Sequence, residues 1–131
     1  MKKVLVIDTN NSTNSIIAQA LINRYLNNIK AYSKALKEPK EVHPNTIKAL
    51  ELQKAWSDEY YSKGFDAFLD IDFDLIVIVS DIEDITDRFP KRVEIISVVF
   101  DEPIEDNLET FIDVTNKIKE KLLPIVRKKL S

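Results

Sequence analysis

Two wholly apolar runs stand out in the hydrophobic pattern of the chain. They are Val4 to Ile7 and Leu75 to Val79, and neither alternates with polar residues. A strand that is covered on both faces, as in a parallel sheet, shows such a continuous run. Both runs therefore predict central strands, which we expect to lie side by side. Weaker patterns over Ile29 to Ser33 and Val93 to Val98 predict two further strands.

Apolar residues that recur at three- and four-residue spacing predict helices between the strands. The first helix extends from about Ser15 to Leu26, and the hydroxyl of Ser12 or Ser15 is expected to cap it. The second begins at Pro44 and ends near Gln53. His43, which precedes it, is predicted to act as a cap or a solvated side chain rather than as a catalytic base.

The rest of the chain shows one long helical pattern and two short ones. An amphipathic helix is predicted from about Asn107 to the C-terminus, and Pro124 is expected to kink or interrupt it. A short helix is predicted over Ser62 to Leu69, with its two phenylalanines and its leucine buried. An acidic helix or turn is predicted over Asp81 to Arg88. Because strands alternate with helices, the pattern indicates an α/β fold with a four-stranded parallel sheet.

Length and composition exclude several classes of protein. The 131 residues suit one domain, 1–131, and no apolar run approaches the roughly 20 residues of a membrane span. A net charge of −3 argues against binding to nucleic acid or to an anionic membrane, and we expect a cytoplasmic protein. The absence of cysteine excludes disulfides and thiol catalysis. Because Gly64 is the only glycine, Asn and Asp are expected to occupy the tight turns.

The junction between the first strand and the first helix carries the candidate site. At such a junction, main-chain N–H groups and the positive end of the helix dipole converge on one point, which suits an anion. The side chains here are small hydroxyls and amides that leave those N–H groups uncovered. The candidate ligand-binding residues are Asp8, Thr9, Asn10, Asn11, Ser12, Thr13, Asn14 and Ser15.

Several further segments, taken with this junction, give the chain a family resemblance. Their order and spacing are specific, and they comprise Ala31 to Leu36, Val42 to Leu50, Ser62 to Leu69, Asp72 to Asp81 and Phe100 to Pro103. The chain resembles the low-molecular-weight protein tyrosine phosphatase superfamily, and within it the thioredoxin-coupled arsenate reductases. The resemblance implies a three-layer sandwich of the phosphotyrosine protein phosphatase I type, in which helices flank a parallel sheet of order 2-1-3-4.

The resemblance also implies which residues have replaced the catalytic ones. In the family, the loop reads Cys, five residues, Arg, Ser; the thiolate attacks phosphorus or arsenic, and the arginine clamps the oxyanion. Here Asp8 stands at the cysteine and Asn14 at the arginine. Of the other loop positions, Asn10 replaces a glycine, Thr13 replaces a second cysteine, and Asn11, Ser12 and Ser15 match the family.

Outside the loop, other cysteines of the family are also replaced, but its general acid has a matching residue. The two redox cysteines of the arsenate reductases fall near Ser80 and Asp87, whereas Asp101 matches the family's general acid. A carboxylate at Asp8 repels phosphate, and Asn14 lacks the compensating charge, so tight phosphate binding is not expected. We expect the Asp8 carboxylate to accept hydrogen bonds from the loop N–H groups, which would lower its pKa.

Three functions follow from these residues. The first is a non-catalytic phosphatase-like protein that binds a protein partner or a small anion at the loop, without cofactor or metal. The second is a hydrolase that uses Asp8 and Asp101, with Asn10 or Asn14 as neutral ligands of a divalent cation such as Mg²⁺. The third is a flavodoxin-like protein whose loop binds the phosphate of FMN. In that case the aromatic residues Trp56, Tyr60 and Tyr61 would stack on the flavin.

Overall fold

The computed structural model describes the whole chain, residues 1–131, and shows a four-stranded parallel sheet of order β2-β1-β3-β4. This order and the alternation of strands and helices confirm the predicted fold class. The elements are β1 (Lys2–Asp8), α1 (Asn14–Tyr25), β2 (Ile29–Ala35), α2 (Pro44–Leu52), β3 (Leu75–Ile78), β4 (Glu94–Ser97) and α3 (Leu108–Lys129), with a short 3₁₀ helix at Thr86–Arg88.

The helices pack on one face of the sheet and form the larger part of the core. Side chains alternate between the two faces of a strand, so Val4 and Val6 of β1 face the helices together with Val77 of β3. Their neighbours Leu5 and Ile7 face the other side. Because both faces are covered, Val4 to Ile7 of β1 and all four residues of β3 are apolar and buried, which explains the continuous runs in the sequence.

The opposite face of the sheet is covered by connecting segments instead of a long helix. The helix predicted over Ser62 to Leu69 is wrong, because this segment forms successive turns. Phe68 has a φ angle of 64°, in the left-handed region that a right-handed helix cannot contain. Phe65 and Phe68 are half-buried against the sheet, but Leu69 is 71% exposed and does not join the core.

Proline and glycine positions differ in part from the sequence predictions. Helix α3 continues through Pro124, whose side chain is exposed, so the proline does not interrupt it. Asn11 and Asn28 have positive φ angles of 53° and 65°, as the shortage of glycine predicts. Lys54 also has a positive φ, which the sequence does not indicate, and Gly64 does not. None of the helices has the length and apolar character needed to cross a membrane.

Candidate functional site

Asp8 lies at the carboxyl end of β1 and accepts two main-chain hydrogen bonds from the loop that follows. Its Oδ1 accepts from the N–H of Asn11 at 2.6 Å, and its Oδ2 accepts from the N–H of Ser15 at 2.9 Å. The residue is only 2% exposed. The Asp8 carboxylate thus occupies the N-terminal end of α1, where a negative charge is favoured by the helix dipole.

This arrangement corrects two expectations. Neither Ser12 nor Ser15 caps α1; the N-cap residue is Thr13, which makes no side-chain cap bond, and Asp8 supplies the acceptor from outside the helix. The pKa of Asp8 is raised rather than lowered, because the loss of solvent outweighs the hydrogen bonds from Ser15 and Asn11.

Asn11 connects the loop to two neighbouring segments. Its Nδ2 donates to the hydroxyls of Ser15 at 2.7 Å and Ser33 at 3.0 Å, and its Oδ1 accepts from the N–H of Lys63 at 2.9 Å. Its carbonyl oxygen accepts from the hydroxyl of Ser62 at 2.6 Å. Since Asn11 is fully buried, these bonds satisfy groups that water cannot reach, and they hold the left-handed backbone in place.

Asn14 connects the loop to the segment that carries Asp101. Its Nδ2 lies 3.3 Å from the carbonyl oxygens of Phe100 and Asp101, and its own Oδ1 is buried without a partner. The Asp101 side chain is exposed and lines a separate surface cavity next to Lys117 and Lys121. The hydrolase interpretation would use Asp8 and Asp101 together, but the two carboxylates line different cavities, and Asn14 binds the main chain of the Asp101 segment.

The surface cavity at the loop has a volume of about 360 Å³ and a wholly polar lining. Glu102, next to Asp101, lines it, and the pKa of Glu102 is raised by desolvation and by the Asp8 carboxylate. Lys40 supplies one cation. The lining residues are Asp8, Thr9, Asn10, Ser12, Thr13, Lys40 and Glu102. Neither Glu102 nor Lys40 is predicted from the sequence as a site residue, although Glu102 lies directly beside the candidate Asp101.

The loop carbonyl groups point away from this cavity toward residues 36–46. Main-chain N–H groups of that segment donate to the carbonyls of Asp8, Thr9, Asn10 and Ser12 at 2.8–3.2 Å. The Ser12 hydroxyl donates to the carbonyl of Glu41 at 2.8 Å. The N–H groups of Ser12 and Thr13 have no acceptor within the chain. The loop therefore keeps its concave shape and part of its N–H cradle.

Other predicted residues lie elsewhere or act structurally. His43 Nδ1 accepts from the N–H of Asn45 at 3.0 Å, which confirms its role as the cap of α2. Trp56 and Tyr60 pack edge to face and line a different cavity from the loop, with Tyr61 at its border. No three His, Asp or Glu side chains cluster in a way that could hold a metal ion. The geometry therefore brings no flavin-stacking ring and no cation cage to the loop.

Comparison with known proteins identifies this architecture. The family model for low molecular weight phosphotyrosine protein phosphatase matches residues 3–130. The chain belongs to that family. With no cysteine anywhere in its sequence, this member lacks the nucleophile of the phosphatases, which agrees with Asp8 at the cysteine position. No curated protein matches the chain significantly in sequence.

Solved structures of the phosphatase family share the fold. An arsenate reductase in the phosphate-binding state is 22% identical, with a TM-score of 0.82 and 98% of each chain covered. The arsenate reductase from Archaeoglobus fulgidus DSM 4304 is 24% identical, with a TM-score of 0.78 and 95% and 98% covered. A low molecular weight phosphotyrosine phosphatase from Vibrio cholerae O395 is 18% identical, with a TM-score of 0.78 and 98% and 96% covered.

Proposed function

We propose that this protein is a non-catalytic member of the phosphatase family that binds a partner or a small ligand through the face of its first loop. The observation that carries the proposal is the position of the Asp8 carboxylate. It accepts hydrogen bonds from two N–H groups of a loop that is shaped for an anion. Asp8 acts in this way as an internal hydrogen-bond acceptor that keeps the loop folded.

Electrostatics supports the loss of phosphate chemistry. A unit negative charge about 4 Å from an ionised carboxylate costs roughly 4 kcal/mol at an effective dielectric constant of 20. Phosphate in the loop would meet this repulsion from Asp8 and a further contribution from Glu102, while Asn14 offers no positive charge. The cavity suits a neutral hydrogen-bonding group or a cation, and Lys40 at its border leaves room for one acidic group of a partner.

Hydrolysis of p-nitrophenyl phosphate by pure protein tests the absence of catalysis. We expect no turnover above buffer from the wild type, because no nucleophile or phosphate clamp is present. A matched variant, Asp8→Cys with Asn14→Arg, restores the family residues, and phosphate is expected to raise its melting temperature but not that of the wild type. Turnover by the wild type that Asp8→Ala abolishes would overturn the proposal.

Partner binding needs its own measurement. Immobilised wild type and the charge variant Glu102→Gln are compared for capture of proteins from the source cell lysate, followed by direct titration of each captured protein. A partner that binds the wild type and loses affinity for Glu102→Gln supports the loop face as the binding surface. Equal binding to both, together with undiminished binding to Thr9→Arg, which fills the cavity, would place the interaction elsewhere.

A further inference from the structure

The face of the sheet without α-helices contains a cavity of about 120 Å³. Lys34 of β2 and Ile76 of β3 are the buried residues of its lining and therefore lie deepest. The half-buried rings of Phe65, Phe68 and Phe73 line it closer to the surface. The cavity is separate from the one at the first loop, because no residue lines both.

Lys34 has an unusual position for a lysine. It is only 1% exposed, and its Nζ donates to the carbonyl oxygens of Phe65 and Ala67, both at 2.8 Å. A protonated amine has three N–H groups, so one remains without an acceptor in the chain. The ammonium also lies 4.3 Å from the centre of the Phe65 ring, where a cation is favoured. Burial lowers its pKa, partly offset by Asp66.

The charges around the cavity favour an anion. Arg88, at the exposed edge, has its guanidinium carbon 5.2 Å from the centre of the Phe65 ring. Arg92 pairs with Asp72 at 2.8 Å on the surface. Asp66 is exposed and acts on Lys34 from outside the lining. Three cations against two carboxylates leave a net positive charge, and the buried one, Lys34, is the least screened by water.

The backbone next to the cavity is strained. Phe68 has a φ of 64°, which is rare for a bulky residue, and its ring packs edge to face on Tyr32 with centroids 5.0 Å apart. Such conformations persist where the surrounding structure holds them, and they are enriched at ligand sites. Phe65 and Phe68 both line the cavity from this turn.

We propose that this cavity binds a small aromatic carboxylate, with its ring among the phenylalanines and its carboxylate on the free N–H of Lys34. The cavity of about 120 Å³ is smaller than the enclosed one of about 150 Å³ that accommodates benzene, but it is open to the surface at Arg88 and Pro90, where a single ring can extend beyond it. The aromatic walls favour a planar apolar body, and the buried ammonium provides a charge-assisted hydrogen bond. This site is independent of the function proposed for the first loop.

Benzoate and benzyl alcohol are the probes, because both carry one ring and only benzoate carries a carboxylate. Titration is followed by ¹H–¹⁵N chemical shifts, which also locate the site. We expect saturable benzoate binding with shifts concentrated at residues 65–73 and 88–93. In Lys34→Met, benzoate should bind about tenfold or more weakly, because a hydrogen bond to a charged group is lost, while benzyl alcohol binding changes little.

Two further variants control for folding and for surface charge. Lys37→Met removes an exposed lysine three residues away and should leave benzoate binding unchanged. Val93→Phe adds a ring at the half-buried edge of the cavity and should abolish binding of both probes while Lys34 remains. Benzoate that does not saturate, that binds Val93→Phe as well as the wild type, or that shifts only residues elsewhere would overturn the proposal.

Discussion

Asp8 and Lys34 are residues of opposite charge buried on adjacent strands, and they differ in their hydrogen-bond partners. In the register of β1 and β2, Ile7 is opposite Lys34 and Asp8 is opposite Ala35, so the two charges belong to neighbouring rungs of the ladder. Neither forms an ion pair. Main-chain N–H groups bind the carboxylate, and main-chain carbonyl oxygens bind the ammonium.

The two charged groups differ in how much hydrogen-bonding capacity they have left unused. Both oxygens of Asp8 are bound within its own loop, so its charge stabilises local structure and repels an incoming anion. Lys34 keeps one N–H and faces a cavity with aromatic walls. A buried charge therefore indicates a binding site only when unused hydrogen-bonding capacity and space lie beside it, and in this protein those lie opposite the helical face.

The largest expected effect is on the free energy of unfolding, which substitutions of Asp8 and of Lys34 should lower by different amounts. Asp8→Ala leaves the N–H groups of Asn11 and Ser15 without an acceptor, and each buried unpaired group costs about 1–3 kcal/mol, so we expect a loss of about 3 kcal/mol. Lys34→Met is expected to cost about 1 kcal/mol, since the carbonyls of Phe65 and Ala67 lie in half-exposed turns that water can reach. Urea unfolding at neutral pH measures both losses, and equal losses would mean that the two buried charges contribute alike to stability.

The next effect is the dependence of stability on pH. The pKa of Asp8 in the folded state is raised above 3.8, so the folded protein binds this proton more tightly than the unfolded chain. Its contribution to stability is full below about pH 3.8 and is lost as the pH rises through the folded pKa. A tenfold difference in proton affinity between the folded and unfolded states corresponds to about 1.4 kcal/mol of stability.

Comparison of wild type with Asp8→Asn isolates this contribution. The stability of Asp8→Asn relative to the wild type is expected to increase as the pH rises above about 3.8 and the wild-type carboxyl group ionises. Asp101→Asn serves as the control, because it removes an exposed carboxylate of the neighbouring segment and leaves Asp8 in place. If the stability of Asp8→Asn fell more steeply with rising pH than that of the wild type, the hydrogen bonds would have a larger effect on the Asp8 pKa than burial has.

The sequence predicted well whatever depends on periodicity. The apolar runs located β1 and β3, the loop between β1 and α1 was placed correctly, and Asn11 took a turn conformation usually left to glycine. The hydrogen-bonding role of Asp8 also followed from its place at a helix N-terminus. These features depend on local chain geometry, which neighbouring residues determine.

Features that depend on distant contacts were missed. The pattern ended the second strand at Ser33 and placed Lys34 in a loop, because the segment from Lys34 to Val42 contains Pro39 and has no periodicity. In the structure the strand continues to Ala35, and carbonyl oxygens some 30 residues away bind the Lys34 ammonium inside the protein. Glu102 was overlooked in favour of Asp101, since which of two adjacent carboxylates faces the loop depends on the bonds from Asn14 to that segment. The predicted direction of the Asp8 pKa shift was wrong for the same reason, because burial is a property of the whole fold.

The smallest expected effect tests whether Asp8 and Glu102 share the loop cavity. Repulsion from the Asp8 carboxylate contributes to the raised pKa of Glu102, so Asp8→Asn should lower the Glu102 pKa, while Asp101→Asn should not. The Glu102 pKa should still stay above its ordinary value in Asp8→Asn, because desolvation is the larger cause and remains. Titration of the ¹³C-labelled Glu102 carboxyl group by NMR measures it. An unchanged Glu102 pKa in Asp8→Asn would show that water screens the two carboxylates from each other. In that case only Asp8 would repel a phosphate in this loop.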